Sequence, residues 1–204
     1  MVGVTGTNGK TTTTYLIKQL LERTKGAKVG LIGTNQNLIS DKTIPTDRTT
    51  PDALTVQRLL AQMVDAGCTY AVMEVSSHAL MQKRVEGIRF RVGVFTNLTQ
   101  DHLDYHGTME EYYLAKRMLA DMSRTMVINI DDEYGRRTAD YCRMSGIQAV
   151  TTSVNTSGAD YFAEFIRLHP HGAEFLLTCP EKQKSWVAKI PVSYTHLTLP
   201  TKLE

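Results

Sequence analysis

Gly3, Gly6 and Gly9 recur at every third position in Gly3-Val4-Thr5-Gly6-Thr7-Asn8-Gly9-Lys10-Thr11-Thr12, and a lysine and hydroxyls close the run. That combination binds phosphate. Glycines let the backbone turn tightly and aim its N–H groups at a polyphosphate, Lys10 reaches the terminal phosphates, and the Thr11 hydroxyl is a hard ligand for Mg²⁺. Gly6, Thr7, Asn8, Gly9, Lys10, Thr11 and Thr12 are therefore the candidate nucleotide contacts. The spacing departs from G-x-x-x-x-G-K-[ST], because Val4 stands five positions before Gly9. A Gly-rich turn without a ligand is the competing reading, and the apolar strand before it and helical pattern after it argue against that.

A second group follows the apolar stretch Tyr70 to Val75, where Glu74 precedes Ser76-Ser77-His78-Ala79-Leu80. A carboxylate in an apolar strand is costly to bury without a cation or hydrogen bonds, so Glu74 is a candidate Mg²⁺ ligand. A third group runs from Thr96 through Asn97-Leu98-Thr99-Gln100-Asp101-His102-Leu103-Asp104-Tyr105-His106 to Gly107. Its Asp101, His102, Asp104 and His106 either ligate a cation or simply cap and brace a polar loop. Lys116, from its own surroundings in sequence, reads as a solvated helix lysine.

The elements that must position these groups alternate. Val2 to Thr5, Val29 to Ile32, Tyr70 to Val75, Val92 to Thr96, Met126 to Ile130 and Ala149 to Thr152 read as strands separated by helical patterns. Such alternation predicts an α/β fold of P-loop type, a mostly parallel sheet flanked by helices, with ligands at the strand C-termini. Leu16, Ile17, Leu20 and Leu21 form one helical stripe, and Leu54, Leu59, Leu60, Met63 and Val64 another, both expected in the core. Thr108 to Glu111 is a capping box opening a helix to about Met122, and Asp131 or Asp132 can cap another to about Ser145. After Ser153 the period becomes alternating over Tyr161 to Leu168, Ala173 to Thr178 and Trp186 to Ile190, which predicts a small antiparallel β appendage.

Composition narrows the partners. With 204 residues and 42% hydrophobic content, one core domain with a small added layer is expected. The 23 basic and 21 acidic residues nearly cancel and no basic run is interleaved with aromatics, so neither nucleic acid nor a membrane is an expected partner. Cys68, Cys142 and Cys179 are odd in number and lack metal-type spacing, which fits free, buried thiols in a reducing compartment. No leader and no membrane-length apolar run is present, so a cytoplasmic location is expected. Met1 falls almost on the first strand, as if the chain were cut from something longer.

Three features carry a family resemblance. The Gly3, Gly6, Gly9 spacing resembles the ATP loop of the Mur ligases and folylpolyglutamate synthases. Glu74-Val75-Ser76-Ser77-His78-Ala79-Leu80 with Gln82 and Arg84, together with Thr96 to Gly107, resembles the UDP-MurNAc-tripeptide synthetases, the MurE family. The resemblance implies ATP and Mg²⁺ as cofactors, with Lys10, Glu74, His102 and Lys116 as catalytic residues. It implies metal contacts by Thr11, Glu74, His102 and a carbamylated Lys116, while Asp104 and His106 shape the loop. Thr49, Thr50, Ser76, Gln82 and Arg84 are the implied substrate contacts. Thr50 also reads as the start of the next helix, being followed by Pro51.

The implied reaction is ATP-dependent amide formation. The terminal D-glutamate carboxylate of UDP-MurNAc-L-Ala-D-Glu becomes an acyl phosphate, which a diamino acid, meso-diaminopimelate or L-lysine, converts to an amide during peptidoglycan precursor synthesis. A monomer is the expected state. Residues 1–191 match the family's central ATP-binding domain only; its N- and C-terminal domains are absent, so the fragment is expected to be inactive alone. Val192 to Glu204 fit no element of that fold and read as a non-native tail. A nucleotide-binding module without ligase activity, or a related ligase such as folylpolyglutamate synthase, are the rival readings.

Overall fold

The computed structural model describes residues 1–170 and 172–191, so the expected tail lies outside the described residues. The chain divides into two compact units, one from Met1 to Thr151 and a second from Thr152 onward.

In the first unit, β1 (Val2–Thr5), β2 (Val29–Ile32), β3 (Asn37–Ile39), β4 (Lys42–Ile44), β5 (Tyr70–Glu74), β6 (Phe90–Phe95), β7 (Ser123–Asn129) and the first four residues of β8 (Gln148–Ser153) lie in the order β8-β7-β6-β1-β5-β2-β3-β4. β1 runs parallel to both β5 and β6, β2 to β5, and β6 to β7. Their near-continuous Val, Ile and Leu content suits strands covered on both faces. The β3–β4 hairpin at the edge was not anticipated; with three residues per strand, its alternation is too short to read from sequence.

Helices α1 (Lys10–Lys25), α2 (Ala53–Asp65), α3 (Ser77–Met81), α4 (Leu103–His106), α5 (Met109–Asp121) and α6 (Glu133–Met144) connect the strands. The predicted capping box opens α5, with Thr108 and Glu111 bonded reciprocally, and Asp132 caps α6 through Gly135 N. One apolar cluster joins Val56, Leu59 and Met63 of α2 to Ile32 and Met73, and another joins Tyr112, Tyr113, Ala139 and Cys142 to Phe95, Met126 and Ile128.

Two core expectations need correction. On α1 the inward residues are Thr14, Tyr15 and Lys18, while Leu20 is 62% exposed and Leu16, Ile17 and Leu21 are half-buried. The reason is a tether: Thr11 is hydrogen-bonded to Glu74, and 11, 14, 15 and 18 share one helical face. The phosphate loop thus sets the rotation of α1 against its apolar stripe. On α2, Leu54 and Val64 face out and Val56 faces in. Thr50 does not start α2 either; Asp52 is its cap, accepting from Thr55 N at 3.0 Å.

The second unit carries β9 (Tyr161–His169), β10 (Gly172–Cys179) and β11 (Lys184–Pro191) as an antiparallel meander, as the change of period predicted. Thr152 and Ser153 pair in parallel with Tyr161 and Phe162. Cys142 and Cys179 are buried, Cys68 is half-buried, and all three thiols are free.

Candidate functional site: a phosphate loop and two buried ionisable groups at the sheet's C-terminal end

The loop after β1 is built by backbone constraints. Gly6 has φ +144°, and a Cβ there would stand 1.9 Å from Thr96 Oγ1, so only glycine fits. The loop is stitched to the segment after β6. Thr7 N donates to Asn97 O and Asn8 N to Asn97 Oδ1, both at 2.9 Å, while Thr96 Oγ1 donates to Asn8 O at 2.7 Å. Thr7 Oγ1 donates to Thr99 O at 3.2 Å and lies 3.3 Å from the Tyr112 hydroxyl. Gly9 is the left-handed N-cap of α1, with no side-chain cap bond and no acidic residue in the first turn. The positive end of the helix dipole is thereby kept for an external anion.

Lys10 folds back over the loop, donating to Gly6 O and Thr7 O at 2.9 Å each. Burial lowers its pKa, with Glu74 and Asp101 partly offsetting the effect. Glu74 is fully buried at the end of β5. Its Oε2 accepts from Thr11 Oγ1 at 3.0 Å and Thr34 Oγ1 at 2.9 Å, and its Oε1 accepts from Thr34 N at 2.9 Å. Gly33 allows this approach, since a Cβ there would stand 2.5 Å from Oε1. Thr34 was missed from sequence; the small Gly33-Thr34 pair just after β2 was the available signal.

Lys116 overturns the solvated-lysine reading. It is 2% exposed and donates to Gly6 O at 2.8 Å, with its Nζ 4.5 Å from the Tyr112 ring centroid. Desolvation, and then repulsion from Lys10, push its pKa well below 10.5, against a smaller opposing pull from Asp101. Tyr112, also missed, is fully buried and touches Thr7, Lys116, His102 and His106. Its position four residues before Lys116 on one helix face was the sequence-level clue.

The Asp/His stretch separates into roles. His102 is a left-handed residue preceding α4, half-exposed, with its Nε2 3.6 Å from Asp101 Oδ2. His106 turns inward, its Nε2 2.8 Å from Ser77 Oγ, so it braces the loop. Burial lowers the pKa of both His78 and His106, and each is pushed further by the neighbouring histidines. Among the described residues, no group of three or more His, Cys, Asp or Glu could hold a metal by itself. What the site does offer is the Thr11 hydroxyl and the Glu74 carboxyl group, hard oxygen donors side by side at the phosphate loop. Few protein ligands beside a phosphate site is the donor set that suits Mg²⁺, which keeps waters and takes phosphate oxygens.

The expected substrate contacts form a connected strip. Thr50 Oγ1 donates to Glu74 O at 2.7 Å and accepts from Ser76 N at 3.1 Å. Arg84 donates to Thr50 O at 2.8 Å and to Gln82 Oε1, and Gln82 reaches the Tyr105 hydroxyl at 3.2 Å. Ser76 caps α3, and Thr49 Oγ1, 3.0 Å from Thr34 Oγ1, donates to it, since the one Thr34 hydroxyl proton is given to Glu74. The structure thus brings together Lys10, Thr11, Glu74 and Lys116 around the loop, joins Thr49 to Glu74 through Thr34, and leaves His102 at the rim.

Comparison with known proteins agrees with this architecture. Residues 4–196 match the model of the Mur ligase middle domain. A Clostridium tetani protein named UDP-N-acetylmuramoyl-L-alanyl-D-glutamate–2,6-diaminopimelate ligase is 48% identical over 95% of this chain and 39% of its own length. A solved structure of a ligase of that name superposes with TM-score 0.82 at 34% identity, over 94% of this chain and 39% of that one. A MurF ligase from Thermotoga maritima in complex with ADP shares the fold, with TM-score 0.64 at 18% identity over 92% of this chain and 39% of that one. The chain thus spans about two fifths of the length of these relatives. With a loop, a buried lysine and a parallel sheet of this order, and a match over nearly its whole length, the chain belongs to the Mur ligase middle domain family.

Proposed function

We propose that the chain is the nucleotide-binding part of an ATP-dependent ligase that joins meso-diaminopimelate to UDP-MurNAc-L-Ala-D-Glu in the cytoplasm. The observation that carries this reading is the convergence on one loop of Lys10, the uncapped α1 N-terminus and the Thr11–Glu74 pair. The names of relatives near half identity support the amino acid chosen, diaminopimelate over lysine. Catalysis by the whole ligase, with further domains and as a monomer, belongs to the same proposal.

In that reaction an oxygen of the D-glutamate carboxylate attacks the γ-phosphorus of ATP and the bond to ADP breaks. The incoming amine then attacks the acyl carbon, and phosphate and a proton leave. Two anions must meet while charge grows on the transferred phosphoryl oxygens, so catalysis is largely positioning and positive field. Gly6 to Thr12 hold the polyphosphate, with Lys10 giving up its loop carbonyls for phosphate oxygens. Thr11 and Glu74 would hold one Mg²⁺, and His102 and Lys116 would serve a second; bound there, the ion supplies charge neutralisation. Thr49, Thr50, Ser76, Gln82 and Arg84 line the strip on which the UDP-MurNAc-dipeptide would lie. Burial and the lowered pKa of Lys116 favour the neutral amine that carbamylation requires.

The test is phosphate release by a ligase-length form of the protein, which should need both UDP-MurNAc-dipeptide and diaminopimelate. ATP binding without phosphate release under any of these conditions would favour a nucleotide-binding module. Lys116→Ala should abolish release and regain part of it with short carboxylates; unchanged activity would remove Lys116 from the mechanism.

A further inference from the structure

Among the described residues, two buried side-chain polar atoms have no hydrogen-bond partner, Arg117 Nε and Thr5 Oγ1. Thr5 is completely buried at the C-terminal end of β1, where valine would fill the same space without an unpaired hydroxyl. Strand alternation puts Thr5 on the face of Gly3. A Cβ on Gly3 would stand 3.2 Å from Leu119 Cδ1, so that face looks onto α5. Lys116 lies three residues before Leu119, on the same side of the helix. Its Nζ is bonded to Gly6 O, the carbonyl of the residue after Thr5. The unpaired hydroxyl and the buried amine therefore share the space between the end of β1 and α5.

The Thr5 hydroxyl has neither a donor nor an acceptor as partner, and the Lys116 amine, bonded to Gly6 O, does not supply one. A carbamate on that amine supplies two acceptor oxygens one atom beyond Nζ. We propose that Thr5 is a positioning residue whose hydroxyl donates to a carbamate formed on Lys116, an inference that rests on the reading of Lys116 given above. In the step concerned, the neutral amine adds to the carbon of dissolved CO₂ and a C–N bond forms. One C=O pair becomes the charge on oxygen, and one amine proton passes to solvent. The Thr5 O–H then holds one carbamate oxygen.

The experiment is ¹³C NMR of the 204-residue chain in ¹³C-bicarbonate, integrating the carbamate carbon. The wild-type signal should vanish in Lys116→Met, which assigns it. Thr5→Val should need about tenfold more bicarbonate for the same occupancy, the value of one good hydrogen bond, and Thr5→Ser should stay within about twofold of wild type. Without bicarbonate, Thr5→Val should unfold at or above the wild-type temperature, which separates lost carbamate from lost fold; Thr5→Ala is a second hydroxyl-free variant should valine fail to fold. Equal occupancy in wild type and the hydroxyl-free variants would overturn the role of Thr5. A wild-type protein without the signal would overturn the reading of Lys116 itself, and this inference with it.

Discussion

Glu74 and Lys116 are both buried at the same end of the sheet, yet they are held in opposite ways. Val4 is paired with Glu74 across β1 and β5 and shares its face, towards α1; Thr5, one residue on, faces α5. On the α1 face, Glu74 accepts from three donors, Thr11 Oγ1, Thr34 Oγ1 and Thr34 N. On the α5 face, Lys116 has one carbonyl and a tyrosine ring, and the Thr5 hydroxyl, on the same face of the sheet, is unpaired. A buried polar group with all its partners is a stable fixture, while one with too few is destabilising and marks a place where something else binds or reacts. The difference teaches that the chain has finished one side of its site by itself and left the other to be completed by chemistry.

Lys10 links the two sides, because its charge pulls towards Glu74 and pushes Lys116 towards neutrality. Removing it should therefore have the largest effect. In the proposed ligase, Lys10→Ala should lower turnover by about 10²–10³, the usual loss when one donor to developing charge is removed, as measured by phosphate release. Next, Glu74→Ala should destabilise the chain by about 1–3 kcal/mol, because Thr11 and Thr34 lose their acceptor in a dry site. Urea denaturation measures this, and an unchanged midpoint would mean that the α1 face is not the finished side.

A smaller loss, about 1 kcal/mol or slightly more, is expected for Thr50→Val, which removes one donated and one accepted bond at the end of β5. The smallest change in stability is expected for Lys116→Met, since Gly6 O keeps Lys10 as a donor and only an underpartnered amine is lost. Its signature is in pH. A lysine whose native pKa is depressed binds fewer protons folded than unfolded, so stability rises as pH climbs from that lowered value towards 10.5. In CO₂-free buffer the methionine variant should show less of that rise than the wild type. A methionine variant whose stability follows pH as the wild type's does over this window would contradict the assignment.

Much of this site was legible before any coordinates. The loop Gly3 to Thr12 carries its own conformation, because glycine spacing, the lysine and the hydroxyls act within a few residues of one another. Likewise the capping box at Thr108, the carboxyl group at the end of an apolar strand and the change of period after Ser153 are local signals, and each appears in the structure. Less local features were misread. The leucine stripe of α1 looked like core, and Lys116, apart from the family resemblance, looked solvated. Both errors share a cause: a helix's rotation and depth are set by what it is tied to, and here the ties run 63 residues from Thr11 to Glu74 and 110 from Lys116 to Gly6. By itself, then, the sequence determined which groups could handle phosphate and in what kind of sheet, since those depend on residue type and period. Only the tertiary structure decided which of them are dry, which are fully bonded and which, like Thr5, are left with a hydrogen bond to give. Burial and partnership are properties of distant segments meeting, and no short stretch of chain contains them.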